Sequence, residues 1–375
     1  MSSFSTYIPE EDIELITRAC GAEIRIFLSF LAFPNEENVY RDYWEGLDLK
    51  TLQGEYKTLV ENFRARPDSF SDEALIKKGS GCLAHQEAVR IELRKGSKKK
   101  KGIAQVAFRG IPDGLRNLTL ERFQDVYKID FGRLIVKKSG QKSIEVNSAG
   151  VSKALPIRYF KNLRADSFLK AKECSSWIVF ADGDGTLYSP PHFEILPGIN
   201  QSAAFESFLS YLKAGGTFVL VTGNSLDRVL TRLKEIPHES YVKRFYVAAN
   251  GGADLCYLDD RFEWRFVEDY GTNLLRETER NIGDSFLDMV YLGDDGDPFG
   301  NDQDAFTEIG FERSIFVGDK KWVVENEALK MNFVGENEKG VMKFLNALVS
   351  QMNDDEFKQF NQTEKLGLIL NKIKE

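Results

Sequence analysis

Little in this sequence ties it to an oxidising compartment, a membrane or a nucleic acid. The four cysteines, Cys20, Cys82, Cys174 and Cys256, are scattered and form no CxxC pair. That spacing argues against a disulfide frame or a cysteine zinc site and fits reduced thiols. No apolar run approaches the roughly 18 residues of a membrane span. The N-terminus, "MSSFSTYIPEEDIEL", lacks the basic-then-apolar order of a secretory signal. The three histidines, His85, His192 and His238, are too dispersed for a triad or a zinc site. Basic residues are outnumbered, giving a net charge of −8, so no general field draws the chain to phosphate polymers or anionic lipid. One basic run, "RKGSKKKKG", is bracketed by glycines and reads as a solvated hairpin tip. A cytoplasmic protein is expected, with neither nucleic acid nor membrane as partner; oligomeric state is left open.

What is present suffices for two domains: 375 residues, 42% hydrophobic. In residues 1–170, helical stretches alternate with strand pairs such as "HQEAVRIEL" with "GIAQVAFRG" and the hairpin "RLIVKKSGQKSIEV". This pattern predicts a small α+β domain. Over 171–350 the texture changes. Five short runs, "WIVFAD", "TFVLVTG", "RFYVAANGG", "MVYLGDD" and "RSIFVGD", are rich in Val, Ile, Phe or Tyr and end at Gly, Asp or Asn. Amphipathic helices separate them. Continuous apolar strands alternating with helices predict an α/β fold, a Rossmann-like parallel sheet covered on both faces. Its ligand site belongs at the carboxyl ends of the strands. Residues 351–375 read as a polar helical tail.

The chemistry gathers at those strand ends. Asp182 and Asp184 leave "WIVFA" with one glycine between them. In extended chain, residues i and i+2 point the same way, so both carboxylates can face one pocket. Paired carboxylates are costly unless a cation neutralises them, and hard oxygen ligands of this kind suit Mg²⁺ with a substrate phosphate. At "VLVTGNS", Thr222 offers a hydroxyl, beside the backbone amides of Gly223 and Asn224, where a phosphate can sit. "YLGDDGDPFGNDQDAF" supplies Asp294, Asp295, Asp297, Asp302 and Asp304. Asp294, directly after its strand, is the candidate further metal ligand.

These three segments resemble the first, second and fourth motifs of the haloacid dehalogenase-like phosphatases over about residues 175–348. The resemblance implies that Asp182 attacks phosphorus to form an aspartyl-phosphate, and that Asp184 protonates the leaving group and then activates water. It also implies Mg²⁺ held by Asp182, Asp184 (through its backbone carbonyl) and Asp294. The family's third motif is a lysine or arginine between the second and fourth. Here that interval has no lysine, only Arg261, Arg265, Arg276 and Arg280. Upstream, "KSIEVNSAGVSKALPIRYF" resembles the third-motif segment of trehalose-6-phosphate phosphatases, which would make Lys153 the catalytic cation. "IKKGSGCLAH", more faintly, resembles that subfamily's substrate-gripping cap face and implies roles for Lys78 and His85. The N-terminal domain would then be a cap, and cap and third motif would precede the first motif.

Three functions follow as expectations. The first is a Mg²⁺-dependent phosphomonoesterase acting on a small phosphorylated metabolite, a sugar phosphate. The second is a 5′-nucleotidase of the inosine-monophosphate type, which "DGDGTLYSP" behind a large N-terminal domain also resembles. The third is a non-catalytic binding or regulatory protein that keeps the fold.

Overall fold

The structure, a computed structural model, describes residues 8, 76–78, 90–95, 103–109, 134–139, 143–148, 151–162, 177–188, 198–268, 270, 288–296, 300–355, 357 and 360–374. Packing divides the chain into two units: Ser5–Gly150, and Val151–Glu375 together with Met1–Phe4.

The first unit contains a sheet of β1 (Ile76–Lys78), β2 (Arg90–Lys95), β3 (Ile103–Arg109), β4 (Leu134–Ser139) and β5 (Ser143–Ser148), in the order β1-β2-β3-β5-β4. Every pairing is antiparallel except β1 with β2. Consecutive residues Gln105, Val106 and Ala107 are all buried, so β3 is covered on both faces. The polar member of that run is satisfied, since Gln105 Nε2 donates to Glu145 Oε2 at 2.7 Å. β2 and β3 flank the lysine run as the sequence predicts; Arg94 and Lys95 end β2, and residues 96–102 lie outside the described residues. Lys78 closes β1, whereas His85 and His192 lie outside the described residues.

The second unit begins with α1 (Ala154–Asn162) and β6 (Trp177–Asp182). There follow α2 (Phe205–Lys213), β7 (Thr217–Val221), α3 (Leu226–Arg232), β8 (Phe245–Ala249), β9 (Asp254–Leu258), β10 (Trp264–Phe266) and β11 (Asp288–Gly293). α4 (Gln303–Ile309), β12 (Ser314–Phe316), α5 (Lys320–Glu325), β13 (Asn332–Phe333), α6 (Asn337–Met352) and α7 (Gln362–Lys374) complete it. The sheet runs β10-β9-β8-β7-β6-β11-β12-β13, parallel from β8 through β13, with the β8–β9 and β9–β10 pairings antiparallel at one edge. This is a mixed α/β fold with a mostly parallel sheet. All five expected strands are present. The β9–β10 hairpin is an addition, closed by a turn in which Phe262 takes φ 58°.

β6, β7 and β11 are buried along their whole lengths, as strands covered on both faces must be. Helix α2 shows why the cover holds. It turns Phe208, Leu209, Tyr211 and Leu212 inward, with Glu206 in its first turn and Lys213 in its last, which suits the helix dipole. Phe208 meets Phe218 and Phe245 edge-on, each at 5.0 Å between ring centroids. Tyr211 donates from its buried hydroxyl to the carbonyls of Trp177 and Thr217, tying the starts of β6 and β7 together. The C-terminal segment, expected as a polar helical tail, forms helix α7 and also contributes to the core. Leu366 and Ile369 of α7 enter the core, and Lys365 Nζ pairs with Asp288 Oδ2 at 2.7 Å.

The boundary drawn from the sequence lies at 170; the compact units divide at Gly150. Helix α1 packs within the second unit, where Arg158 Nε and Lys161 Nζ both bond Glu308 of α4, at 2.7 and 2.9 Å.

Candidate active site

β7, β6 and β11 are neighbouring parallel strands, so their carboxyl ends open together. Asp182 ends β6 and is buried. Beyond it the chain coils tightly: Gly183 O accepts from the amides of Thr186, Leu187 and Tyr188, and Gly185 N donates to Tyr188 O at 2.8 Å. Gly185 sits at φ +87°, and a Cβ there would come within 2.0 Å of Asp294 Oδ2. Only glycine fits, for both the conformation and the close approach. Thr186 Oγ1 donates to Asp294 Oδ1 at 3.0 Å, which fastens this loop to the end of β11.

Lys153 reaches the same place from before helix α1. Its Nζ lies 2.5 Å from Asp182 Oδ1, 2.7 Å from Asp302 Oδ1 and 2.9 Å from Asn301 Oδ1. The side chain is 2% exposed, so it is no ordinary surface lysine. The turn holding it rests on the "NGG" loop after β8, where a Cβ on Gly252 (φ +91°) would strike Ser152 O at 2.4 Å. Of the arginines weighed for the same role, Arg265 is half exposed and pairs with Asp259 and Glu263 on the β9–β10 hairpin. Arg276 and Arg280 lie outside the described residues.

Asp302 is fully buried and saturated. Oδ1 accepts from Lys153 and the Tyr291 hydroxyl; Oδ2 accepts from the amides of Asp294 and Asp295. Thr222 is buried beside the Asp182 loop, and Asn224 differs from expectation. Its amide turns onto Thr222 Oγ1 at 3.1 Å, while its side-chain nitrogen donates to Asp184 Oδ2 at 2.7 Å. The loop is pinned from β8 and the turn after it: Thr222 N donates to Ala248 O, and Asn250 N to Asn224 O. Asp184 Oδ1 accepts from Arg232 of α3, a residue that the sequence analysis does not single out. Arg232 is buried beside Val229. Its one signal was an arginine falling on the apolar face at helical spacing with Val229 and Leu233.

The electrostatics separate the two motif aspartates. Burial would lower Lys153, but Asp182 and Asp302 outweigh it and push the ammonium well above its usual range. Burial also raises Asp294, with the like charges of Asp302 and Asp295, to about 7; Lys153 and Thr186 offset part of this. For Asp184, burial would raise the carboxyl, yet Arg232 and Asn224 hold it below the ordinary range. Asp182 is therefore crowded with negative charge, whereas Asp184 is matched by a guanidinium and an amide.

Asp182, Asp294 and Asp302 bring ligand oxygens within 4.8 Å of one another, and Lys153 offsets one charge of the three. A divalent cation fits this donor set, because burial leaves the excess charge unscreened. Asp302 has its oxygens engaged by four donors, so Asp182 and Asp294 are the carboxylates suited to ligate. A ligand that binds only the folded state stabilises it by about 2.7 kcal/mol at a hundred times its dissociation constant. Mg²⁺ is thus expected to raise the melting temperature, and Asp294→Ala to remove most of that rise. A variant with an undiminished Mg²⁺ response would transfer the ligand role away from Asp294.

No protein-family model matches the chain, and no curated protein matches it. Among solved structures it is similar to yhjK, a haloacid dehalogenase-like hydrolase protein from Bacillus subtilis, at 16% identity and a TM-score of 0.31, over 49% of this chain and 96% of that one. It is also similar to the N-terminally truncated, IMP-bound IMP-nucleotidase of Plasmodium falciparum, at 20% identity and a TM-score of 0.19, over 30% of this chain and 31% of that one. Another structure of that nucleotidase matches at 18% identity and a TM-score of 0.19, over 30% of this chain and 27% of that one. Likeness at this level extends to neither activity nor substrate. No helix among the described residues is long and apolar enough to cross a membrane.

Proposed function

We propose that the chain is a haloacid dehalogenase-like phosphomonoesterase working through an aspartyl-phosphate on Asp182. The observation that carries this reading is the buried ammonium of Lys153, bonded to both Asp182 and Asp302. A cation so placed offsets the repulsion between a carboxylate nucleophile and an incoming phosphate. Mg²⁺, when bound by Asp182, Asp294 and the Asp184 backbone carbonyl, would supply Lewis-acid withdrawal of charge from the phosphoryl oxygens.

The chain's own residues divide the work. Thr222 and the Gly223 amide receive the phosphoryl oxygens, and Lys153 neutralises them. Asp182 attacks phosphorus, the bond to the leaving oxygen breaks, and that oxygen takes a proton from Asp184. Arg232 and Asn224 keep Asp184 acidic, so it must first take that proton up as the anionic phosphate binds. Water then attacks the phosphorus of the aspartyl-phosphate, gives a proton to Asp184, and frees Asp182. Splitting the hydrolysis in this way replaces one difficult displacement with two easier ones.

For substrate, we propose a small phosphorylated metabolite, specifically a sugar phosphate, on the resemblance of the segment around Lys153. Phosphate release from parallel panels of sugar phosphates and nucleoside monophosphates, with and without Mg²⁺, tests this. Preference for a sugar phosphate is expected. Preference for inosine monophosphate would replace it with the nucleotidase reading, and silence on both panels would favour a non-catalytic protein.

A further inference from the structure

Arg232 has no part in the chemistry as set out so far, yet it is one of the most buried charges in the second unit. Its side chain is 2% exposed, against 31% for its partner Asp184. The guanidinium carbon lies 3.6 Å from the centre of the Tyr188 ring, and the Tyr188 hydroxyl takes no hydrogen-bond partner among the described residues. Tyr188 therefore engages Arg232 with its ring face, on which a stacked guanidinium is well held. The ring and the carboxylate belong to the same loop, joined by the Gly185–Tyr188 bond, whereas Arg232 arrives from α3. With Asn224 on Oδ2 and Arg232 on Oδ1, both oxygens of Asp184 are fixed from behind, and the carboxylate has one orientation.

We propose that Arg232 is the positioning residue for Asp184, setting the direction in which this carboxylate faces the leaving-group oxygen. This rests on the phosphomonoesterase reading above. Buried and stacked on Tyr188, Arg232 reaches the reacting atoms through Asp184. In the first step the leaving oxygen departs from phosphorus and collects its proton from Asp184, so a misdirected carboxylate penalises substrates whose leaving group needs that proton. An alkyl phosphate needs it; p-nitrophenyl phosphate releases a stable phenolate and does not.

The test compares kcat/KM on a simple alkyl phosphate and on p-nitrophenyl phosphate for the wild type, Arg232→Met and Arg232→Lys. Both kcat/KM values report steps up to departure of the leaving group, before water enters. Positioned proton transfer contributes about 100-fold or more, so Arg232→Met is expected to lower the alkyl-to-aryl ratio by about tenfold or more. Arg232→Lys, which keeps the charge but not the planar fork, is expected to recover part of it and guards against a Met variant that does not fold. Equal losses on both substrates in the folded variants, leaving the ratio unchanged, would mean that Arg232 only supports the fold, and would overturn the proposal. Absence of phosphate release from both substrates by the wild type would instead overturn the phosphomonoesterase reading, and this proposal with it.

Discussion

Asp182→Asn is expected to abolish phosphate release while leaving the fold intact. The amide is nearly isosteric with the carboxylate, so the packing at the end of β6 is kept. It is a poor nucleophile, and no aspartyl-phosphate can form on it. The change also removes one of three clustered negative charges, relieving the repulsion that burial makes costly. Lys153 retains Asp302 and Asn301 as partners, so the ammonium is not stranded. The melting temperature without metal should hold or rise, and the Mg²⁺-induced rise should shrink. Calorimetry with and without Mg²⁺, beside a phosphate-release assay, checks both halves. A variant that keeps most of the wild-type turnover would rule out Asp182 as the nucleophile.

Replacement of Lys153 is expected to damage both activity and stability. A cation about 4 Å from a phosphate contributes roughly 4 kcal/mol at an effective dielectric near 20, before its own desolvation is subtracted. Turnover should therefore fall on the order of a hundredfold. Lys153→Met keeps the length of the stem and removes the charge. Asp182 and Asp302 are then left facing each other without the cation between them. Removing one partner of a buried ion pair typically costs about 3–5 kcal/mol, and here part of that should return on adding Mg²⁺. Arg265→Ala is the comparison. Its side chain is half exposed on the hairpin, bonded to Asp259 and Glu263, and exposed pairs contribute at most about 1 kcal/mol. A large loss of turnover at Arg265 with little at Lys153 would make an arginine the required cation.

The parallel sheet was legible because strands covered on both faces become nearly continuous apolar runs, and these stand out between amphipathic helices. The Asp182–Asp184 pair was legible because an apolar strand rarely ends in two carboxylates without a use for them. Lys153 was harder. It lies 29 residues ahead of Asp182, outside the expected interval, and only the turn and helix around it drew attention to it; burial and charge pairing are properties of the folded chain. Arg232 lies 48 residues beyond Asp184 on a helix also carrying Asp227 and Arg228, and its spacing alone does not name Asp184 as its partner. Asp302 was one acid among several; its four donors come from Lys153, Tyr291 and two backbone amides, a convergence no spacing rule encodes. The β9–β10 hairpin was missed because its strands are short and their alternation is broken by the Asp259–Glu263 turn.

The central claim is that a phosphoryl group passes through Asp182. Its most direct test is an acid quench of the wild-type protein during turnover with Mg²⁺ and its best substrate, followed by mass spectrometry of the peptide spanning residues 177–188. The expected result is one added phosphoryl group on Asp182, absent from Asp182→Asn and lost on treatment with hydroxylamine. Steady phosphate release with no phosphoryl group on this peptide, or with the group on another residue, would contradict it.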